Sequence, residues 1–450
     1  MKLYNSYTQK TEDFIPMEDG KVSMYVCGPT VYNDPHIGNA RPIVVFDTLC
    51  KTLEALGNEV TLASNFTDVD DKIIARAIEE NTTEKELTDR YIEEFKAVRS
   101  ALGAREPDYA PRVTETMDQI IAFIADLVDK GAAYAVDGDV YFRVNADKTY
   151  GELSHQNVDD LNAGSRIEIN DKKESPLDFT LWKTTDKGVQ WDSPWGKGRP
   201  GWHTECVVMI NDVFGKPLID VHGGGNDLKF PHHENEMAQA RMTWGTPLAN
   251  TWVHNGMINI ENDKCELDKM SKSLGNVVLA KDLIAKYGGP VCRWMMISTH
   301  YRAPLTLSKT AMESAAKEVE KVRKPMKQAL FQLDLADRFD ENAPKDEASW
   351  KAFLDAMSDD LNTPNAISAV QQAVKDLNTA LRKRDLDYDR IQSLYSSLRA
   401  MLGVLGIDLE LQHAADEQKQ LYRDWKNAVC EKNFESADAC RKTLMEQGII

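Results

Sequence analysis

The sequence contains no uninterrupted apolar run of the roughly 20 residues that a helix needs to cross a bilayer. Its N-terminal segment, MKLYNSYTQKTEDF, also has no apolar core of the kind found in secretory signal peptides. These absences predict a soluble, cytoplasmic protein without a membrane partner. At 450 residues the chain exceeds what one ordinary hydrophobic core supports, so about two to four domains are expected.

Positive charge is scarce, because 54 lysines and arginines stand against 72 aspartates and glutamates, for a formal net charge of -18. Non-specific binding to nucleic acid draws most of its affinity from phosphate neutralisation, so this balance disfavours it. A nucleic-acid partner would need a local basic face. Lys317, Lys321 and Lys324 share one helical face, although the acidic Glu318 and Glu320 among them favour an ordinary solvated surface.

A disulfide framework is also absent, since the seven cysteines are an odd number scattered over a long chain without a signal peptide. The thiols are therefore expected to be reduced, and each is a candidate ligand or nucleophile. The sequence has no internal repeat and no low-complexity segment.

Alternating apolar segments predict the fold of the first 300 residues. KVSMYVCGP reads as a strand, ARPIVVFDTLCKTLEALG as a helix and EVTLASNF as a second strand, an order typical of a parallel α/β sheet. Short Gly- and Asp-rich segments between about 134 and 200 indicate an insertion, after which LIDVHGGGND and WVHNGMINI complete the sheet. From about 306 the pattern is helical almost to the end, with Thr363 as the expected N-cap of one helix.

Two short segments have the chemistry of a nucleotide site. In PHIGNARP, His36 and Gly38 lie between a strand and a helix whose first turn is expected to hold Pro42, where backbone amides favour an anion. In LDKMSKSLGN, residues 267–276, the ammonium groups of Lys269 and Lys272 suit a triphosphate and its departing pyrophosphate. Taken singly, PHIGNARP is better explained as an ordinary loop with a surface histidine and LDKMSKSLGN as a solvated charged loop.

Thiols, imidazoles and a carboxylate suggest a zinc site. Cys27, Cys206, His232 and Glu236 form a plausible four-ligand shell, because His232 and Glu236 share a helical face at i and i+4 while His233 points elsewhere. Buried free cysteines are common, so spacing alone leaves a structural role open for both thiols.

Collinear sequence blocks carry a resemblance to a known family. PHIGN and KMSKS resemble the two signatures of class I aminoacyl-tRNA synthetases, and six blocks in the family's order narrow the match to the cysteinyl-tRNA synthetases: YVCGPTVYNDPHIGNARP, NFTDVDDKII, GWHTEC, HGGGNDLKFPHHENEMAQ, KMSKSLGN and DDLNTPNA. The likeness covers nearly the whole chain. It implies an α/β fold: a split Rossmann-type parallel-sheet catalytic domain with an insertion, an α-helical bundle and a small C-terminal helical element.

The resemblance also implies domain boundaries. The catalytic domain is expected over 1–305, with the insertion at about 134–200 and a stem region carrying KMSKS at about 256–305. A helical bundle of DALR type is expected over 306–405. A tRNA-reading element, shortened relative to the family, is expected over 406–450.

The implied activity is ligation of L-cysteine to cysteine tRNA with ATP, by a monomer. His36, Asn39, Lys269 and Lys272 would be catalytic, with His36, Gly38, Asn39 and Lys272 binding ATP, which Mg²⁺ would accompany. Thr67, Trp202 and His222 would contact the amino acid, and Cys27, Cys206, His232 and Glu236 would hold one Zn²⁺ that selects a thiol over the serine hydroxyl. Gly223 to Gly225 would allow close approach of adenosine.

Some alternatives remain open at this stage. Thr67 could instead cap the following helix, and Trp202 and His222 could be core residues. Asn39 stands where the signature more often has histidine, a variant that the family includes. A ligase that passes cysteine to a small-molecule amine is the nearest alternative, but the roughly 145 residues after the catalytic part favour tRNA. A catalytically silent, zinc-dependent RNA-binding protein would not need His36, Gly38 and the two lysines.

Overall fold

The structure is a computed structural model that describes residues 1–157, 171–261, 267–269 and 277–447, with the backbone alone at 267–269. The chain divides into two compact units, Met1–Lys286 with Tyr301–Leu307 and Tyr287–His300 with Ser308–Ile450. Within the described ranges, no helix combines the length and the apolar character needed to cross a membrane.

The first unit begins with a strand pair and then builds a parallel sheet. Its elements up to residue 129 are, in order, β1 (Lys2–Asn5), β2 (Lys10–Asp13), β3 (Lys21–Val26), α1 (Ile37–Ala55), β4 (Glu59–Ala63), α2 (Asp71–Glu80), α3 (Glu84–Ala101) and α4 (Met117–Asp129). Strands β3 and β4 pair in parallel with Tyr25 opposite Ala63. From Val22 onward every residue of β3 is buried, as expected for a strand with helices over both faces.

The predicted insertion is an antiparallel sheet of its own. It contains β5 (Ala133–Val136), β6 (Asp139–Phe142), β7 (Phe179–Thr184) and β8 (Gly198–Pro200), paired in that order. The chain then continues with α5 (Glu205–Phe214), β9 (Ile219–Gly225), α6 (Glu234–Trp244) and β10 (Ala249–Asn255). Because β9 and β10 join β3 and β4 in the order β10-β9-β3-β4, all parallel, the split α/β fold is confirmed.

A small sheet follows the main one. It is formed by β11 (Ile258–Glu261), β12 (Leu267–Lys269) and β13 (Leu305–Leu307), in the order β12-β11-β13. Helices α7 (Ala280–Tyr287) and α8 (Gly289–Ile297) lie between β12 and β13 in the chain. Helix α8 lies within the expected stem region, yet it belongs to the second unit.

The second unit is helical in its described part. After α8 it comprises α9 (Lys309–Leu335), α10 (Glu347–Met357), α11 (Thr363–Leu381), α12 (Tyr388–Leu405), α13 (Asp416–Cys430) and α14 (Phe434–Glu446). The expectation that Thr363 caps α11 is wrong by one residue. The Asn362 side chain accepts the Asn365 amide at 3.2 Å, and Thr363 is the first helical residue.

Helix α1 begins earlier than the sequence pattern suggests. It starts at Ile37 with His36 as N-cap, so Pro42 lies in its second turn rather than its first. A proline has no amide hydrogen, so Pro42 cannot donate the helix hydrogen bond to the Gly38 carbonyl. The backbone at Gly38 thus differs from that of a regular helix where it borders a cavity described below.

Candidate metal centre and nucleotide cavity

Two thiols meet where β3 ends and α5 begins. Cys27 follows β3 and donates its amide to the Gly223 carbonyl of β9 at 3.1 Å, which fixes the strand end. Cys206, the second residue of α5, is buried. The two Sγ atoms lie 3.4 Å apart although 179 residues separate them in the chain.

An imidazole and a carboxylate complete this cluster. Glu236 lies in the first turn of α6 and His232 in the π-helical turn Lys229–His233 that precedes it. The His232 Nε2 atom lies 2.9 Å from Glu236 Oε1, and 3.6 Å and 3.8 Å from the Sγ atoms of Cys27 and Cys206. The expected i, i+4 pairing of His232 with Glu236 is present, and each of the four residues offers a donor atom within 4.8 Å of the others.

The donor set fits a tetrahedral zinc ion. Bonds of about 2.3 Å to sulfur and about 2.0 Å to nitrogen or oxygen imply edges of roughly 3.8 Å between sulfurs and roughly 3.5 Å between sulfur and a lighter donor. The observed separations are 3.4 Å between the sulfurs and 3.6 Å from Cys27 Sγ to both His232 Nε2 and Glu236 Oε1. The chain therefore contains a possible metal-binding site of two thiols, one imidazole and one carboxylate.

Neighbouring groups determine whether each metal donor is charged. Burial raises the pKa of Cys206, but the Cys27 hydrogen bond and the nearby His232 lower it overall to about 7. Burial, reinforced by Cys206, raises the pKa of Cys27 well above its usual value. Burial would also raise the pKa of Glu236, but His232 and His222 hold it well below its usual value. The cluster thus stabilises one thiolate and one carboxylate, the charged forms that bind metals.

Aromatic residues enclose His232 from outside. The Nδ1 atom of His232 lies 3.1 Å from Nδ1 of His203, and burial lowers the pKa of His203 to about 3, so His203 is neutral and can accept this hydrogen bond. The Trp202 ring stacks on His232 with centroids 4.4 Å apart. Ligating histidines characteristically donate their second ring N–H in this way, which fixes the tautomer.

A cavity of about 410 Å³ opens beside the thiols. Its wall includes Cys27 and Trp202 together with His36, Gly38 and Asn39 at the start of α1. The Asn39 side chain accepts the His36 amide at 3.1 Å and so shapes the N-terminus of the helix. The thiol and the HIGN segment therefore border the same space.

The residues that follow the Lys-Met-Ser-Lys-Ser segment reach the same cavity. Val277 and Leu279 line it, and the backbone of Val278 accepts the Ile37 amide at 2.9 Å. At the start of the segment, Lys269 pairs with Asn259 in the small sheet. The side chain of Lys269 and the whole of Lys272 lie outside the described residues.

Thr67 and His222 lie deeper than the cavity wall and do not line it. Thr67 does not cap α2, whose N-cap is Asp70. Its hydroxyl donates to Glu205 Oε2 at 2.7 Å, a carboxyl whose pKa burial raises well above the usual value. His222 Nε2 lies 2.6 Å from Glu236 Oε2, behind the metal donors. Sequence patterns gave no signal for Glu205, because its partner Thr67 is 138 residues away.

The expectations for the glycines at 223–225 and for the basic face of α9 differ from what the structure shows. Gly223 is required for packing, since a Cβ there would lie 2.2 Å from the Phe46 ring, whereas Gly225 does border the cavity. Two of the lysines on this face of α9 pair with acids on their own helix, Lys321 with Glu318 at 2.5 Å and Lys324 with Glu320 at 4.0 Å. This mixed-charge surface favours an ordinary solvated face there.

Comparison with known proteins agrees with this geometry. The family described as tRNA synthetases class I (C) catalytic domain matches residues 13–317, and the DALR domain matches residues 352–410. A Mycobacterium tuberculosis methionyl-tRNA synthetase bound by methionyl-adenylate superposes with a TM-score of 0.61 at 15% identity, over 90% of this chain and 94% of the other. An arginyl-tRNA synthetase from Campylobacter jejuni gives 0.58 at 13% identity, over 87% and 94%. The fold is that of the class I tRNA synthetases.

Full-length relatives narrow the assignment. A cysteine–tRNA ligase of Halalkalibacterium halodurans is 46% identical over 457 residues, covering 100% of this chain and 97% of the relative. One of Brevibacillus brevis is 45% identical over 462 residues with the same coverage. The chain belongs to the cysteine–tRNA ligase family.

Proposed function

We propose that this protein activates L-cysteine with ATP and transfers it to cysteine tRNA. The cysteine carboxylate would attack the α-phosphorus of ATP, releasing pyrophosphate and forming cysteinyl-adenylate, and the tRNA 3′-terminal ribose would then displace AMP. One observation carries the proposal: Cys27 belongs both to the metal donor set and to the wall of the cavity that His36 and Asn39 border. The metal donors that would select the substrate thiol and the helix N-terminus that would bind the phosphates therefore border the same small cavity.

In this proposal Cys27, Cys206, His232 and Glu236 hold one Zn²⁺. A bound zinc would accept a thiolate much more readily than a serine hydroxyl, so it supplies selectivity without a separate hydrolytic site. Neighbouring groups orient the donors. His232 and His222 both hold the Glu236 carboxylate, and the Gly223 carbonyl holds the backbone amide of Cys27. Trp202 would contact the amino acid from the cavity wall. Thr67 and His222 do not line the cavity in this structure, so their expected contact with the amino acid requires the wall to open toward them.

The phosphate side of the cavity belongs to the α1 N-terminus. His36, Gly38 and Asn39 would bind the triphosphate with Mg²⁺, because backbone amides at a helix start favour anions. Lys269 and Lys272 would stabilise the departing pyrophosphate by charge. A hydrogen bond near this segment supports the assignment: Val278, which follows it in the chain, accepts the amide of Ile37 at the start of α1.

The domain boundaries follow from this proposal. Residues 1–305 would carry the chemistry, 306–405 would form the bundle and 406–450 would read the tRNA, all in one cytoplasmic monomer. The match of the DALR domain to residues 352–410 and the full-length likeness to cysteine–tRNA ligases support tRNA as the acceptor.

Cysteine-dependent exchange of pyrophosphate into ATP, followed by transfer to total tRNA, tests the proposal. We expect exchange with cysteine, and cysteine esterified to tRNA in the second step. Absence of exchange would contradict the activation step. Exchange without charging would leave activation standing and favour a small-molecule amine as the acceptor.

A further inference from the structure

A second group of possible metal donors lies beside the first. Cys27, His222, His233 and Glu236 each offer a donor atom within 4.8 Å of the others, and this set shares Cys27 and Glu236 with the first. Glu236 can serve both sets, because Oε1 faces His232 at 2.9 Å while Oε2 faces His222 at 2.6 Å. The sequence prediction that His233 points away from the donors is therefore wrong.

His233 contains a buried nitrogen that suggests a ligand. The residue is 0% exposed, and its Nδ1 lies 2.8 Å from His254 Nε2. Its Nε2 is buried and has no hydrogen-bond partner in the described part of the chain. A buried polar atom without a partner destabilises the folded chain, so a nitrogen in this position calls for a bound group.

The outward hydrogen bonds of both histidines match metal ligation. His222 Nδ1 lies 3.2 Å from the Tyr25 carbonyl, an acceptor that holds the proton on Nδ1. His233 Nδ1 can donate to His254, whose own Nδ1 lies 2.8 Å from Ser6 Oγ. With Nδ1 of His233 acting as the donor, its Nε2 keeps a lone pair, as in metal-bound imidazoles. His222 Nε2 shares a proton with Glu236 Oε2 at 2.6 Å, and this proton must leave before His222 can bind a cation.

Charge provides a reason for a second cation. Two thiolates and one carboxylate around a first divalent ion leave a net charge of about -1 in a buried place. An excess of negative charge therefore faces His222 and His233.

We propose that Cys27, His222, His233 and Glu236 form a second binding position for a thiophilic divalent cation, bridged to the first by the Cys27 sulfur and the Glu236 carboxylate. The inference rests on the metal site of the proposed function. Any proton between His222 Nε2 and Glu236 Oε2 leaves to solvent when the second ion binds. The second position is weaker than the first, because both of its anionic donors are shared.

Cobalt(II) titration of the full-length, zinc-loaded protein tests this position. We expect the wild type to take up one further equivalent of cobalt, counted by elemental analysis after gel filtration. A sulfur-to-cobalt charge-transfer absorption should accompany it, because Cys27 is a ligand. His233→Ala should keep its zinc and lose the cobalt equivalent. His413→Ala, which removes an exposed imidazole of the other unit, should bind as the wild type does.

His233→Phe provides a second variant if alanine impairs folding, since it keeps a flat ring but has no ligand nitrogen. Wild type that binds no cobalt equivalent in large excess, or binding that survives both His233 variants, would overturn the proposal. The readout is independent of catalysis. Two metals in a protein without cysteine-dependent exchange would contradict the proposed function and support this site.

Discussion

Cys206 is one of the two sulfur donors of the candidate metal site. Its thiol is 2% exposed, and its pKa of about 7 is the lower of the two cysteines. Cys206→Ala should therefore reduce zinc from about one equivalent per chain to almost none, measured by elemental analysis. Cys50→Ala is the matched control, because Cys50 is a buried thiol that lies beside Met24 rather than in the cluster. Full zinc occupancy in Cys206→Ala would contradict the site.

In the proposed function, Glu205 would orient Thr67 for the amino acid. The Thr67 hydroxyl is held between Glu205 Oε2 at 2.7 Å and the Asn65 amide at 3.3 Å. Glu205→Ala should raise KM for cysteine roughly tenfold, equivalent to losing one hydrogen bond of about 1.4 kcal/mol, with KM for ATP unchanged. Glu205→Gln keeps an acceptor and should recover most of the loss. Equal changes in both KM values would indicate a merely structural role.

The turn that follows β3 leaves no room for an added side chain at Gly28. A Cβ on Gly28 would lie 1.6 Å from the Asn65 carbonyl oxygen, while the Gly28 amide donates to the Asn65 side chain at 2.8 Å. Gly28→Ala must therefore displace Cys27, and we expect lost zinc together with a thermal midpoint lower by roughly 5 °C or more.

Gly403→Ala is the control for that substitution. Gly403 lies within α12, and an added Cβ would meet no atom within 4 Å. Alanine is favoured over glycine in a helix by about 1 kcal/mol, so this variant should be neutral or slightly more stable. Similar destabilisation by both substitutions would contradict the close approach at Gly28.

Helix α1 is fastened to the small sheet by Arg41. This residue is 0% exposed, and its guanidinium donates to the carbonyls of Gly256, Met257 and Ala303 at 2.6, 2.9 and 2.7 Å. Arg41→Met should destabilise the protein by about 3 kcal/mol, because three buried acceptors lose their donors. It should also raise KM for ATP, since Gly256 and Met257 line the cavity.

Thermal unfolding and ATP kinetics measure these effects. Arg90→Met is the control: Arg90 forms a surface ion pair with Glu80, and surface pairs contribute about 1 kcal/mol or less. An Arg41→Met protein as stable as Arg90→Met would show that Arg41 does not hold these segments together.

At the scale of the whole molecule, sequence patterns were sufficient for the class of fold, whereas the first donor set was predicted only with the help of the family resemblance. Apolar runs separated by amphipathic helices predicted β3, α1 and β4, and the i, i+4 spacing predicted the pairing of His232 with Glu236. Periodicity reports which side of an element is buried, and it did so correctly here.

Contacts between distant segments could not be predicted in the same way. His233 is placed by its contact with His254, and Gly223 is required because Phe46 packs against it. Arg41 binds carbonyl groups that lie more than 200 residues further along the chain. None of these partners has a fixed spacing in the chain. Helix boundaries were also imprecise, because Ile37 and Thr363 begin their helices by local capping that competes with the apolar pattern.

The central claim is that one metal, held by this chain, binds the sulfur of the amino acid. X-ray absorption at the zinc edge measures the sulfur ligands directly. We expect two sulfurs per zinc in the protein alone, from Cys27 and Cys206, and one more when cysteine is added, because zinc accepts a further thiolate. Serine should leave the spectrum unchanged. An unchanged sulfur count at saturating cysteine, or an equal response to serine, would contradict the account.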